Sequence, residues 1–312
     1  MLDSIKIQLV THDGPFHGDD VLAIAILSKI HKSHKVIRTR DPSVIDMGDF
    51  VVDVGGVYNH DTRRYDHHMP NGPRSHSGQP YSSAGLIWHH YAKQYLAAIG
   101  VPSVFVYRNE TFDIRGIVSN IIRTKWIIPI DLNDNGVVTG HTPVSDIVTA
   151  MAPIYGDKKP ESYDRQFMQT VSIVSAIFER ACFHAVEKVV RQVQASKAKY
   201  RFFSNGRILV SPVEMTNFKS FSETDVHFVI YPVTDFRDPE QQYYVIRPIF
   251  ENIPSVYKTP IAKHLLGLDA DALEELGYSD ILFVHHSGFM IRARTEKAAI
   301  AFCDHALEIR NQ

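Results

Sequence analysis

The sequence predicts an α/β protein of two domains, on three observations. Ile5, Ile7 and Leu9 alternate with Lys6 and Gln8 before Val10, a strand pattern that runs into a polar loop and then an apolar helix. A chain of 312 residues, 44% hydrophobic and 22% charged, buries a substantial core and divides into about two domains. Tyr163 to Lys199 contains neither Gly nor Pro and reads as one or two long helices that bridge the domains. The expected boundaries are 1–199 for a mainly parallel-sheet first domain, with 163–199 as its helical linker, and 200–312 for a smaller α/β second domain. The active site is expected in a cleft between them.

Taken in order, the first strand stops at Thr11, and Thr11 to Asp20 forms a Gly/Pro loop before an apolar helix over Val21 to Ile30. Asp19 or Asp20 is the natural N-cap of that helix. Lys35 to Arg40 reads as a second strand, and Phe50 to Val54 as a third that Gly55 and Gly56 end. Asn59 to Thr62 is a turn between Val57-Tyr58 and Arg64-Tyr65, a hairpin that would carry Asp66 to His68 beside Asp53. After the loop Met69 to Pro80, Ser82 or Ser83 caps a helix with Leu86, Ile87, Tyr91, Tyr95 and Leu96 on its apolar face. Helical spacing from Phe112 to Ile128 gives way to an acidic turn over Asp131 to Gly136, and Thr142-Pro143 opens a short helix. In the second half, Arg207 to Val210, Val226 to Val233, Tyr243 to Phe250 and Ile281 to His286 read as strands. Ala270 to Leu276 and Thr295 to Arg310 read as helices.

Thirty-three basic against thirty-five acidic residues give a formal charge of -2, which carries no bulk signature of a nucleic-acid binder. Cys182 and Cys303 stand far apart in helix-like segments, which excludes a disulfide framework and a thiolate zinc site and fits a reducing compartment. The N-terminal stretch shows no signal or transit pattern, and no apolar run approaches about 18 residues, so the expectation is a cytoplasmic chain without a membrane span.

His12, His17, Asp19, Asp53, Asp66, His67, His68, Asp131 and Asp134 all fall just past strand or helix ends within the first 134 residues. A parallel sheet would bring such groups together at its carboxyl edge. A pair such as His67-His68 says little alone, since the chain has 17 histidines and pairs recur at 89–90 and 285–286. Together, imidazoles and carboxylates without a thiolate suit Mn²⁺, Mg²⁺, Co²⁺ or Zn²⁺. A carboxylate shared by two ions holds them about 3.5 to 4 Å apart, the geometry that clamps a phosphoryl transfer and lowers the pKa of a bound water.

Six stretches carry a resemblance: Thr11 to Asp20, Val51 to Tyr58, Arg64 to His68, Ser82 to Leu86, Ile130 to Val137 and Phe283 to Phe289. On these the sequence resembles the Myg exonuclease family of metal-dependent hydrolases, itself related to the DHH phosphoesterase superfamily. The resemblance implies a DHH-like first domain with two divalent ions, Mn²⁺ foremost. One ion would sit at His12, His17 and Asp53, the other at Asp19, Asp53, His67 and Asp134. Asp53 would bridge them, His68 would face the substrate phosphate, and Asp66 would orient the histidine pair, so that Asp53, His68 and Asp66 form the catalytic group. Asp131 would support from behind. Arg64, His285, Ser287, Arg292 and Arg294 are the expected further substrate contacts. The wider superfamily has an Asp where His17 stands. It also has a glycine pair after the Ser-Gly-Phe stretch, where this chain continues Met290-Ile291-Arg292.

The implied activity is hydrolysis of phosphodiester bonds, as a 3′–5′ exonuclease on RNA or short oligonucleotides, with a homodimer left open. The alternatives are a hydrolase of small phosphoanhydrides or dinucleotides, and a non-catalytic metal-binding protein.

Overall fold

The computed structural model describes residues 6–251 and 256–310, and the chain is α/β throughout. Ile5 lies outside the described residues. The described chain forms two compact units, Met1–Val189 and Val190–Gln312.

The first unit is built on a sheet of β1 (Ile7–Thr11), β2 (His34–Arg38), β3 (Phe50–Val52), β4 (Tyr58–Asn59) and β5 (Arg64–Tyr65). Its order is β2-β1-β3-β5-β4, and only the β4–β5 pairing is antiparallel. Parallel strands need crossovers, and α1 (Gly18–Ile30) supplies the first, buried along Val21 to Leu27 because every side chain there is apolar. The short α2 (Pro42–Asp46) supplies the second, capped by Asp41. The hairpin at 57–65 forms as expected, and β5 joins β3 in parallel, which sets Asp66 to His68 next to Asp53.

Helix α3 (Ser83–Ala98) packs along α1, with Ser82 as its cap. Between it and the next helix lies a hairpin that the sequence reading did not foresee, β6 (Val104–Tyr107) with β7 (Glu110–Asp113). Phe112 therefore belongs to a strand, and the helical run is α4 (Ile114–Ile122), capped by Asp113. A π-helical turn at Arg123–Ile127 leads into α5 (Ile128–Asp134). The extra residue of that turn lets Pro129 enter a new helix without breaking the run. Asp131 and Asp134 thus stand on a helix, and the expected turn begins only at Asn135. Helix α6 (Pro143–Met151) opens at Thr142 with a reciprocal cap to Ser145. Helix α7 (Pro160–Ser196) is one continuous helix.

The second unit holds a six-stranded sheet of β8 (Arg201–Phe203), β9 (Ile208–Val210), β10 (Phe228–Thr234), β11 (Gln242–Pro248), β12 (Ile281–Val284) and β13 (Ile291–Ala293), in the order β12-β13-β11-β10-β9-β8. Helices α8 (Ala270–Glu275) and α9 (Glu296–Arg310) complete it, and α9 covers one face through Phe302, Cys303 and Leu307. Neither β8 nor β13 was expected. Arg292 is consequently a strand residue stacked on Tyr243, 4.9 Å from the ring centroid, and not part of a loop before the last helix.

Candidate metal centre

Three neighbouring parallel strands deliver the site at their carboxyl ends. β1 ends at Thr11 and hands on to His12, β3 ends before Asp53, and β5 ends before Asp66, His67 and His68. The first turn of α1 adds Asp19 and Asp20, and the last turn of α5 adds Asp134. Asp53 has φ +58°, a left-handed backbone that Asp tolerates better than branched residues do. The chain leaves the sheet there and the carboxylate stays at the strand edge.

Asp53 is the hub. Its Oδ2 lies 3.3 Å from His12 Nε2, and its Oδ1 lies 3.2 Å from His67 Nε2 and 3.6 Å from His68 Nδ1. The Ser83 hydroxyl is within donating reach of Asp53 Oδ1 at 3.0 Å and of the Tyr65 carbonyl at 2.9 Å. His67 Nε2 is also 3.1 Å from Asp134 Oδ2 and 3.7 Å from Asp19 Oδ2, and His12 Nε2 is 3.2 Å from Asp20 Oδ2. Three sets of donor atoms each fall within 4.8 Å of one another: His12, His17 and Asp53; Asp53, His67 and His68; His17, Asp19 and Asp134.

Asp66 and Asp131 stand behind these groups. Asp66 Oδ1 accepts the backbone N–H of His67 (2.7 Å) and of His68 (3.1 Å) and meets His68 Nδ1 at 2.8 Å, while Oδ2 accepts from Gly56 N–H at 2.6 Å. Asp131 accepts from the Ser82 N–H at 3.0 Å and hydroxyl at 2.7 Å. Of the two acids on α5, Asp134 is therefore the one beside His67.

Burial opposes a charge on His12, yet the Asp20 and Asp53 carboxylates overcome it and raise the imidazole to about 10. His67 is likewise penalised by burial and raised to about 10 by Asp134 and Asp53. Burial would lift Asp53, but His12 and His67 hold its carboxyl well below the usual range. Asp19 has no such relief: burial, then the Asp53 and Asp134 charges, hold it well above that range. Burial also pushes Asp131 up to about 7, against its bonds to Ser82.

Asp19 Oδ1 is buried without any partner, and Asp20 Oδ2 and His67 Nε2 are buried with ion-pair contacts but no hydrogen bond. Leaving such atoms unpaired is costly, and like charges this close repel. Divalent cations would satisfy the orphaned donors and neutralise the acids at once, and an all-N/O donor set suits hard or borderline ions. The residues present fit a metal.

A model of the MYG1 exonuclease family, described as an uncharacterised protein family (UPF0160), matches residues 8–307. The chain belongs to this family. A MYG1 protein of Schizosaccharomyces pombe is 25% identical to it over 97% of this chain and 98% of its own. One of Caenorhabditis elegans is 24% identical over 96% and 94%. The MYG1 exonuclease of Homo sapiens is 25% identical over 97% and 86%. A solved exopolyphosphatase-related protein from Bacteroides fragilis aligns over 97% of this chain and 92% of its own, with 15% identity and a TM-score of 0.23, too low a score to argue from.

Set beside this family membership, the candidate residues separate into three groups. His12, His17, Asp19, Asp53, His67, His68 and Asp134 come together, with Asp66 behind them. The Arg64 guanidinium is engaged elsewhere, donating to the carbonyls of Asp46, Gly48 and Thr62. His285, Ser287, Arg292 and Arg294 lie in the second unit, where His285 Nδ1 meets the Ser287 hydroxyl at 2.9 Å and Arg294 faces Asp280 at 3.4 Å. Of the pair at 89–90 on α3, His89 is exposed and His90 half-buried. His90 stacks on His60 at 3.8 Å and bonds the Tyr58 hydroxyl at 2.8 Å, tying α3 to the hairpin.

Three residues escaped the sequence reading. Asp20 was weighed only as a cap, but it is fully buried against His12; it closes the cap from the third helical position, while His17 is the capping residue itself. Ser83 was also weighed only as a cap. Gly85, which lies in the Ser82 to Leu86 stretch but has no role of its own in the sequence, packs so closely on Asp131 that any Cβ would overlap the carboxylate. Gly85→Ala is expected to push Asp131 off Ser82, shift α5 and misplace Asp134. Metal affinity should fall ~10–100-fold, as when a supporting residue of a metal site is lost. Titration with Mn²⁺ reads this directly, and an unchanged affinity would show that the Asp131–Ser82 contact does not position Asp134.

Proposed function

We propose that the chain is a metal-dependent phosphodiesterase and, within that class, an exonuclease that removes nucleotides from the 3′ end of RNA or short oligonucleotides. The observation that carries this reading is the convergence of Asp19, Asp20, Asp53 and Asp134 with His12, His17 and His67 on one sheet edge. The names carried by the mammalian relatives support the nuclease assignment.

In the proposed arrangement Asp53 would be shared between two divalent ions, one held by His12 and His17 and the other by Asp19, His67 and Asp134. Bound there, the ions would polarise the phosphoryl group and activate water near neutral pH. The remaining work falls to the protein. His68, its side chain 61% exposed and held by Asp66, would donate a proton or hydrogen bond to a phosphate oxygen. The Asp66 bonds to two successive N–H groups and to Gly56 fix the direction of both histidines. Contacts from His285, Ser287, Arg292 and Arg294 to the rest of the substrate belong to the same proposal.

The test is release of mononucleotides from 5′-labelled RNA in Mn²⁺. The wild-type chain should shorten the strand stepwise from its 3′ end, and folded His67→Ala protein should not. Absence of turnover on RNA, DNA, dinucleotides and pyrophosphate alike would defeat the enzyme reading. Turnover of pyrophosphate alone would defeat the nuclease one.

A further inference from the structure

A cavity of about 460 Å³ within the first unit opens on the candidate metal centre and shares His17, His68 and Asp134 with it. One wall is helix α6, where Ser145, Val148 and Thr149 share one face, and Ala152 adds to it just past the helix end. We propose that this cavity is a nucleoside subsite: it takes the sugar and base attached to the reacting phosphate. The proposal rests on the phosphodiesterase reading above and deepens it by naming what is bound beside the phosphate.

The lining decides against an inorganic polyanion. No lysine or arginine is among the described residues that line the cavity. Chains of phosphate are recognised above all by guanidinium and ammonium groups, so a second or third phosphate would find no such partner there. Apolar surface from Phe16, Ile130 and Val148 stands instead beside uncharged hydrogen-bonding groups on Asn133, Thr142, Ser145 and Thr149. Apolar walls with a few polar groups are what a flat, neutral, amphipathic ligand requires, and the volume lies within the ~300–1,000 Å³ of small-ligand sites.

Phe16 is held in place before any ligand arrives. Its ring meets Phe167 edge-on at 5.6 Å, and the Arg38 guanidinium lies 4.4 Å from the Phe167 centroid and 5.7 Å from that of Phe16. Arg38 is itself fixed, donating to the Gly14 carbonyl at 2.7 Å and to Asp164 at 2.8 Å. An aromatic wall anchored in this way costs little ordering on binding, and aromatic rings accept any base.

Thr149 is exposed, so Thr149→Trp fills the cavity without entering the core, and Ala152→Trp, also at an exposed position, does so from just past the end of α6. With Mn²⁺ present, the wild-type chain should bind AMP at least 10-fold more tightly than inorganic phosphate, and both variants should lose most of that preference. In turnover, the variants should raise KM for a nucleoside 5′-(p-nitrophenyl phosphate) at least 10-fold more than for methyl p-nitrophenyl phosphate. Equal binding of AMP and phosphate by the wild type, or an AMP preference that survives both substitutions, overturns the subsite while leaving the phosphodiesterase reading intact. An AMP preference without turnover of either ester keeps the subsite and defeats the phosphodiesterase reading.

Discussion

Asp53→Asn protein should fold, bind divalent metal at least ~100-fold more weakly and lose its turnover. Asn has nearly the shape of Asp and accepts the same left-handed backbone, so the φ of +58° is no obstacle to folding. The amide has no charge to offer two cations and no second anionic oxygen for His12 and His67 to face. Loss of a group behind a metal site already costs ~10–100-fold, and Asp53 stands in front, within 3.6 Å of three histidines. Isothermal titration with Mn²⁺ beside an RNA turnover assay checks both halves. A folded variant that keeps metal affinity and turnover would remove Asp53 from the centre of the account.

Stability of the metal-free protein should fall as pH rises from about 7 to 10, and Mn²⁺ should reverse the trend. His12 and His67 are raised to about 10 in the folded chain against 6.5 for the ordinary imidazole. The folded state therefore holds protons that the unfolded chain releases, and stability falls with pH wherever that is so. The contribution is complete below about 6.5 and is lost as pH passes 10. Asp53 has the opposite sign: its lowered carboxyl stabilises the fold above the ordinary carboxylate range and fails only in strong acid. Metal must displace the protons on His12 and His67, so its apparent affinity should rise with pH and its binding should release protons. Thermal melts with and without EDTA across this range, and titrations in two buffers of different ionisation enthalpy, measure both effects. Metal binding that releases no proton would contradict the placement of His12 and His67 as ligands.

Much of the site was legible because it sits at strand ends. The alternation before Thr11, the glycines after Val54 and the turn at 59–62 located the loops that bear His12, Asp53 and His67 without any knowledge of packing. The acids on α5 were harder. Asp131 to Gly136 looks like a turn by composition, but the π-helical turn ahead of Pro129 restarts the helix and carries it to Asp134. Local propensity does not report that, because the apolar side chains of Ile127 and Ile130 decide it through burial. Asp20 and Gly85 were harder to read for a related reason: their importance lies in contacts across the Thr11 to Asp20 loop to His12 and to Asp131 on another helix, which local spacing does not report. The strands β8 and β13 are three residues each and are held by their neighbours in the sheet more than by their own pattern. Among the described residues no helix is long and apolar enough to cross a membrane.

Crystals grown with Mn²⁺ and measured at the manganese edge test the central claim most directly. The account predicts two anomalous peaks about 3.5 to 4 Å apart on either side of Asp53, the spacing of two ions that share a carboxylate. One should lie against His12 and His17, the other against Asp19, His67 and Asp134. A single peak with His67 or Asp134 turned away, or no peak at Asp53, would contradict it.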